Sequence, residues 1–443
     1  MGNAGTYAFG EAKPVIVIGK TVVVLIFGLA MGFGATYIAC ARLLRSTAVV
    51  LMKEKAPNAV KSKNGGRRAG TLYSRLIVRN MLSDLKRVAV TIVSVAGCCS
   101  LLVIGFTLKS SVDRVITKQY GGIVTYDYNI TFSSERSASA AADISEILDA
   151  HGCEYTELSK EFITCRFSGS NDVAEVYILD PGSVEGYFDL RDAWTNEKIS
   201  PDSWQNGVLI QKRVAEVCSV KAGDTITLYD SNAKEHKAKV AGVFDNYIGR
   251  TMFMSGSYYE ELFGTPVRNS QFFVKLNGAD AKEVKNEVSE VEGYKSFGRS
   301  DSAKDFFKSV SVILNAVIAG MIFMAAMMAS VVLLNLTNMY LNQKKRELAI
   351  MRINGFTVGQ TIGYLARETV ITTIIGIILG IAGGSALALQ IIHSLENPSL
   401  QLLRDPDYIA WTLSAVITEL FAFIINYFVM RKVRKLKLTD LAG

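Results

Sequence analysis

Histidine is nearly missing from this chain: 443 residues hold three, His151, His236 and His393. None is spaced with cysteines or carboxylates in the way metal ligands are, so no metal site is expected. Scattered serines and aspartates make no recognisable nucleophile and base, so no catalytic residue is assigned and no enzyme is expected. A phosphate-cradling loop is also lacking. PVIVIGKT looks like the end of one, but the first glycine it needs is replaced by Pro14, and an unbroken apolar run follows Lys20. The chain alone is therefore expected to show only background ATP hydrolysis once any co-purifying ATPase is removed, and no cofactor is expected. Cysteine is sparse. Cys40, Cys98 and Cys99 lie in or beside apolar runs, while Cys153, Cys165 and Cys218 form an odd set that allows at most one bridge. A Cys153–Cys165 link and free thiols both remain open.

Acidic side chains are scarce in one region. Residues 41–87 carry about 12 Lys or Arg against about 2 acidic residues, whereas residues 111–305 carry roughly 21 basic and 31 acidic. Apolar residues, in contrast, are concentrated in five blocks: 15–40, 88–108, 310–336, 370–395 and 409–430. Each supplies the roughly 20 apolar residues that a membrane helix needs. Basic loops stay inside, which puts the N-terminus outside, residues 42–87 inside, the acidic insert outside and the basic tail 431–443 inside a cell membrane. Anionic lipid and an intracellular partner account for the basic loops better than nucleic acid does. The expected fold is an α-helical polytopic membrane protein of about five spans. An α+β extracytoplasmic domain is inserted between the second and third.

The expected segments are a first span (1–41), a basic linker with an amphipathic helix (42–87), a second span (88–110) and the outer domain (111–305). Three further spans (306–430) enclose an inner loop (338–368), and the tail closes the chain. In the outer domain, strands are expected at 124–132, 161–167, 173–179, 225–229, 238–244 and 271–276, and helices at 140–151, 212–218, 257–263 and 279–291. Gly223-Asp224 reads as a turn. The inner loop is the organising stretch. Residues 343–353 hold good helix formers, Gly355 stops them, and Thr357 with Gln360 can form a capping box for the next helix. That loop is either a basic turn at lipid headgroups or a short helix that passes force to a cytoplasmic partner. Within the spans, Gly28 with Gly32 and Gly376 with Gly380 give smooth faces for helix contact. Glu419 is an intramembrane carboxylate, costly unless protonated or paired with Ser, Thr or Asn426.

The run Arg346-Glu347-Leu348-Ala349-Ile350-x-Arg352-x-x-Gly355-Phe356 resembles the loop between the second and third spans of FtsX-like (MacB-type) ABC transporter permeases. Arg79-Asn80-Met81-Leu82 is similar to the opening of such units. The runs from Gly207, Lys221 and Val240 are similar to the extracytoplasmic core of MacB-like members. The resemblance implies a coupling helix that docks on a separate ATPase through Lys345, Arg346, Glu347, Leu348, Ile350, Met351, Arg352 and Gly355. It implies mechanotransmission in a bacterial membrane, serving export or extraction of a peptide, lipid or lipoprotein, or antimicrobial resistance. Arg42-x-x-Arg45 and Arg431-x-x-Arg434 follow the first and last spans alike. The chain is thus expected to be the C-terminal unit of a larger two-unit permease, completed by a second unit or a second copy. The rivals are a regulator of a cell-wall hydrolase and an ATP-independent peptide receptor that signals through a histidine kinase.

Overall fold

The computed structural model describes residues 18–44, 85–167, 170–230, 232–302, 312, 315–328, 330–331, 355, 357–396 and 399–434. Of these, 95–331 and 376–421 form one compact unit, and the remainder form a second. The linker 52–69 and the residues 72–84 of the expected amphipathic helix lie outside the described residues.

Helix α1 covers Ile18–Leu44 and α2 covers Leu85–Lys118. The 34 residues of α2 make a rod of about 51 Å, against an apolar bilayer layer of about 30 Å. The helix is thus longer than a membrane span requires. It ends in a π-helical turn, Gln119–Ile123, that enters the following domain. Among the described residues, Val88–Ile123 and Thr369–Leu395 are long and apolar enough to cross a bilayer; Leu25–Gly34, Asn315–Met328 and Tyr408–Ile424 are shorter apolar helices. Two of the five expected spans thus meet the full length requirement.

The domain expected outside the membrane, called the outer domain below, follows in order: β1 (Tyr128–Phe132), α3 (Ser137–Ala150), β2 (Glu154–Phe167), β3 (Ser170–Ile178), β4 (Val208–Gln211) and α4 (Lys212–Cys218). Then come β5 (Thr225–Tyr229), β6 (Glu235–Phe244), β7 (Thr251–Met254), α5 (Gly256–Phe263), β8 (Gln271–Lys275), α6 (Ala281–Ser289) and β9 (Tyr294–Arg299). Helices α7 (Asn315–Met328), α8 (Val358–Leu395) and α9 (Tyr408–Arg434) complete the chain.

The nine strands run β3-β7-β4-β6-β5-β2-β8-β1-β9, and β3 also pairs with β2. That extra pairing closes six strands into a ring, which removes their free edges. Long β2 makes this possible: residues 154–158 pair with β8, and residues 159–167 pair with β3. The ring is filled by Ile163, Cys165, Val176, Ile210, Leu228, Val240 and Met252, all buried. Beside it, β1, β8 and β9 carry α3 and α6 over a second core of Ile130, Phe132, Ile144, Leu148, Phe272 and Val284.

Strand β1 starts later than the alternation of 124–132 suggests. Thr125 N–H donates to Tyr187 O and Val124 bridges Phe188, so the chain leaves the sheet before residue 128. The expected turn is present: Gly223 has φ +97°, and Asp224 Oδ2 accepts from Lys221 N–H at 2.8 Å.

In the same unit α8 packs on α2 through glycine. A Cβ on Gly380 would lie 2.6 Å from Cys99 Cβ and 2.8 Å from Ala96 O; one on Gly384 would lie 2.9 Å from Ser100 Cα and Val103 Cβ. Gly383, one residue away, has Ser100 Oγ as its nearest neighbour at 3.7 Å. Gly380→Leu is therefore expected to cost about 2–3 kcal/mol by overpacking, and Gly383→Leu much less. Thermal unfolding of the two variants in one detergent checks this.

Candidate functional site

The site is built where three separate stretches meet: the C-terminal end of α2, the residues 399–407 between α8 and α9 (the strap), and the face of the outer domain at residues 244–253. Val112, Val115 and Ile123 from α2 and its π turn share one buried cluster with Leu400, Leu402 and Leu403 of the strap and with Leu209, Phe244, Tyr247 and Phe253. Burying three leucines contributes about 1.5–3 kcal/mol each, so the strap is held as part of the domain. The strap also pairs as a short strand. Gly249 N–H donates to Ser399 O, Gln401 N–H donates to Tyr247 O, each at 2.9 Å, and Ile248 bridges Leu400.

Gln119, in the π turn that follows α2, joins that helix to the domain with both ends of its amide. Its Nε2 donates to Asn246 Oδ1 at 2.7 Å, and its Oε1 accepts from Tyr247 N–H at 3.0 Å. Gln211 extends this network, donating to Asn246 O at 2.9 Å and accepting from Thr251 N–H at 3.2 Å. All of these amides are buried, so each orphaned partner would carry a desolvation cost. Ser111 Oγ donates to Leu403 O at 2.7 Å, tying α2 to the strap. Tyr247 OH donates to Asp245 Oδ2 at 2.6 Å, and burial together with that carboxylate pushes its phenol well up.

The charged part is a ring of four side chains. Glu396 follows the last turn of α8, where the helix dipole disfavours a carboxylate, and its side chain has no solvent exposure. Two arginines offset this. Arg404 Nε donates to Glu396 Oε1 at 3.1 Å and Nη2 to Oε2 at 2.5 Å. Arg213 of α4 approaches Oε2 at 3.8 Å. Glu216 closes the ring, accepting from Arg404 Nη2 at 3.2 Å and Arg213 Nη1 at 3.1 Å. Leu402 N–H and His393 Nδ1 also face Glu396, at 3.2 and 3.5 Å. Those hydrogen bonds raise the already high pKa of Arg404. The ring ties the end of a membrane-length helix and the strap to the six-stranded ring of the outer domain. Asp407 then starts α9, its Oδ1 accepting from Ile409 and Ala410 N–H at 3.0 Å.

The residues picked from sequence fall elsewhere. Lys345, Arg346, Glu347, Leu348, Ile350, Met351 and Arg352 lie outside the described residues. Gly355 is exposed with φ +91°. The capping box after it is formed: Thr357 N–H donates to Gln360 Oε1 at 2.9 Å and Gln360 N–H to Thr357 Oγ1 at 3.3 Å. Gly28 and Gly32 are exposed, and a Cβ on either meets nothing within 4 Å. Gly376 and Gly380 are buried. Glu419 is half-buried, and among the described residues nothing bonds its Oε2. Cys153 and Cys165 are unbridged and sit in different cores. Sequence reasoning missed Gln119, Arg213, Glu216, Glu396 and Arg404. The available signal was four charged residues, Glu396, Arg404, Asp405 and Asp407, in a short loop between two apolar runs.

The family model described as FtsX-like permease C-terminal matches residues 319–438, which include α8, the strap and α9. That stretch of the chain carries the match to the FtsX-like permease family, and it covers about a quarter of the sequence. An FtsX-like permease is the membrane-embedded component of an ABC transporter, and the two candidate spans fit that. Comparison with curated proteins finds no match. Solved structures similar to this chain include the periplasmic region of MacB from Actinobacillus actinomycetemcomitans, at 14% identity over 44% of this chain and 97% of that one, TM-score 0.29. Another is the extracellular domain of the noncanonic ABC-type transporter YknZ from Gram-positive bacteria, at 15% identity over 39% and 98%, TM-score 0.26.

Proposed function

We propose that this permease converts ATP-driven motion of a separate ATPase into motion of its outer domain. The observation that carries the reading is the junction itself. The end of α2 and the strap between α8 and α9 bond into the outer domain through buried amides and a buried charge ring. A helix whose end enters a domain through fixed hydrogen bonds is suited to carry force into that domain. The inner handle is the 343–353 segment, docking on the ATPase through Arg346 and Glu347 as charged contacts and Leu348 and Met351 as apolar ones. The cargo is a peptide, lipid or lipoprotein, or an antimicrobial, handled on the outer side of the membrane. Hydrolysis by the complex with its ABC ATPase in nanodiscs, stimulated above the ATPase alone, tests the reading; equal rates with and without a stably bound permease would contradict it.

The same reading places the outer domain and the N-terminus outside and the tail inside. With native cysteines replaced, Ser170→Cys is expected to react with an impermeant maleimide in intact cells, and Asn64→Cys only after permeabilisation. Labelling of Asn64→Cys in intact cells would overturn this topology.

A further inference from the structure

We propose that Cys165 and Cys218 form a redox pair, which a disulfide oxidant closes into a bridge stapling the C-terminal end of α4 to β2. Cys165 lies inside the six-stranded ring with no exposure. Cys218, the last residue of α4, is half-buried and packs against the same core. The two thiols are neighbours in the fold: Cys218 Sγ donates to the backbone carbonyl of Arg166, the residue after Cys165, at 3.6 Å, and both cysteines pack in one core. The third outer cysteine does not compete. Cys153 is buried in the other core, its Sγ directed at Leu276 O at 4.0 Å.

This arrangement divides the work of thiol–disulfide exchange. The neighbouring Cys165 side chain holds the Cys218 thiol below the usual cysteine value, against a smaller opposing effect of burial. The same interaction, with burial, pushes Cys165 up. Cys218 is therefore the more readily ionised thiol, and also the one solvent reaches. Its thiolate attacks one sulfur of the oxidant disulfide, forming a mixed disulfide and expelling one thiolate. Cys165 then loses its proton and attacks the Cys218 sulfur, expelling the second thiolate. In sum, two protein thiols and one disulfide become one protein disulfide and two thiols; two electrons pass to the oxidant. An extracytoplasmic position, which rests on the topology proposed above, is where such a bridge persists. Helix α4 also carries Arg213 and Glu216, so the bridge would fix the outer-domain half of the charge ring.

The test uses the full chain in detergent, fully reduced, then exposed to oxidised glutathione as the probe and mapped by mass spectrometry without reductant. The expected product is one cross-linked peptide pair holding Cys165 and Cys218, lighter by two hydrogens than the separate peptides. Cys218→Ser removes it and Cys153→Ser does not. In parallel, brief treatment with a maleimide is expected to label Cys218 well before Cys153 and Cys165. Three results would overturn the proposal: Cys218 stopping as a stable glutathione adduct, a Cys153-containing cross-link in its place, or no cross-link in folded protein whose Cys218 reacts with maleimide.

Discussion

Leu348→Asp is expected to abolish docking of the partner ATPase while leaving the permease folded. In the proposed mode, a short helix inserts a few anchors into a groove on the ATPase, and most of the binding energy rests on those anchors. An aspartate there places an uncompensated charge in a desolvated contact, at a cost of about 3–5 kcal/mol. That corresponds to a loss of roughly 10²–10⁴ in affinity. The outer domain and the membrane helices are built from other segments, so expression, detergent stability and outer-domain unfolding should match wild type. Co-purification of the ATPase and hydrolysis by the reconstituted complex measure the effect. Unchanged values in a folded variant would make residues 338–368 a basic turn at the lipid headgroups.

Arg404→Ala should loosen the hold of the strap on the outer domain. Arg404 makes two contacts with Glu396, whose side chain is fully buried, and one with Glu216. Removing one partner of a buried pair leaves a charge in an apolar setting. Arg213 at 3.8 Å and Leu402 N–H at 3.2 Å remain to hold Glu396, which puts the expected cost at about 2–4 kcal/mol. Arg404→Lys keeps the charge but not the planar fork, so its loss should be smaller. Hydrogen exchange across 399–407 and 246–251, followed with denaturant unfolding, reads the change. Equal exchange in Arg404→Ala and wild type would show that the leucines alone hold the strap.

Much of this fold is visible in the sequence wherever periodicity is strong. The helix Lys212–Cys218 and the strand Thr225–Tyr229 fall at the expected positions. The capping box at Thr357 and Gln360 does too, because its two hydrogen bonds are local. Strands β4 and β7 escape, since all four residues of each are buried and no alternation marks them. The ring closure made by β2 and β3 escapes as well, because pairing partners carry no local signature. The junction was the least legible part. Glu216 and Arg404 lie 188 residues apart, as Gln119 and Tyr247 lie 128 apart, and spacing within one segment says nothing about such pairs. The inner loop presents the reverse case, with strong local pattern but residues 343–353 outside the described part of the chain.

The most direct measurement of the central claim is hydrogen exchange in the permease–ATPase complex, compared between the nucleotide-free state and a state trapped with ATP and vanadate. Local opening of hydrogen-bonded segments sets the exchange rate, so force arriving through α2 and the strap should alter it at residues 245–251 and 399–407. Wild type is expected to show that change on trapping, and Leu348→Asp to show none. Identical exchange in both states of a wild-type complex that does trap nucleotide would contradict transmission of ATP-driven motion to the outer domain.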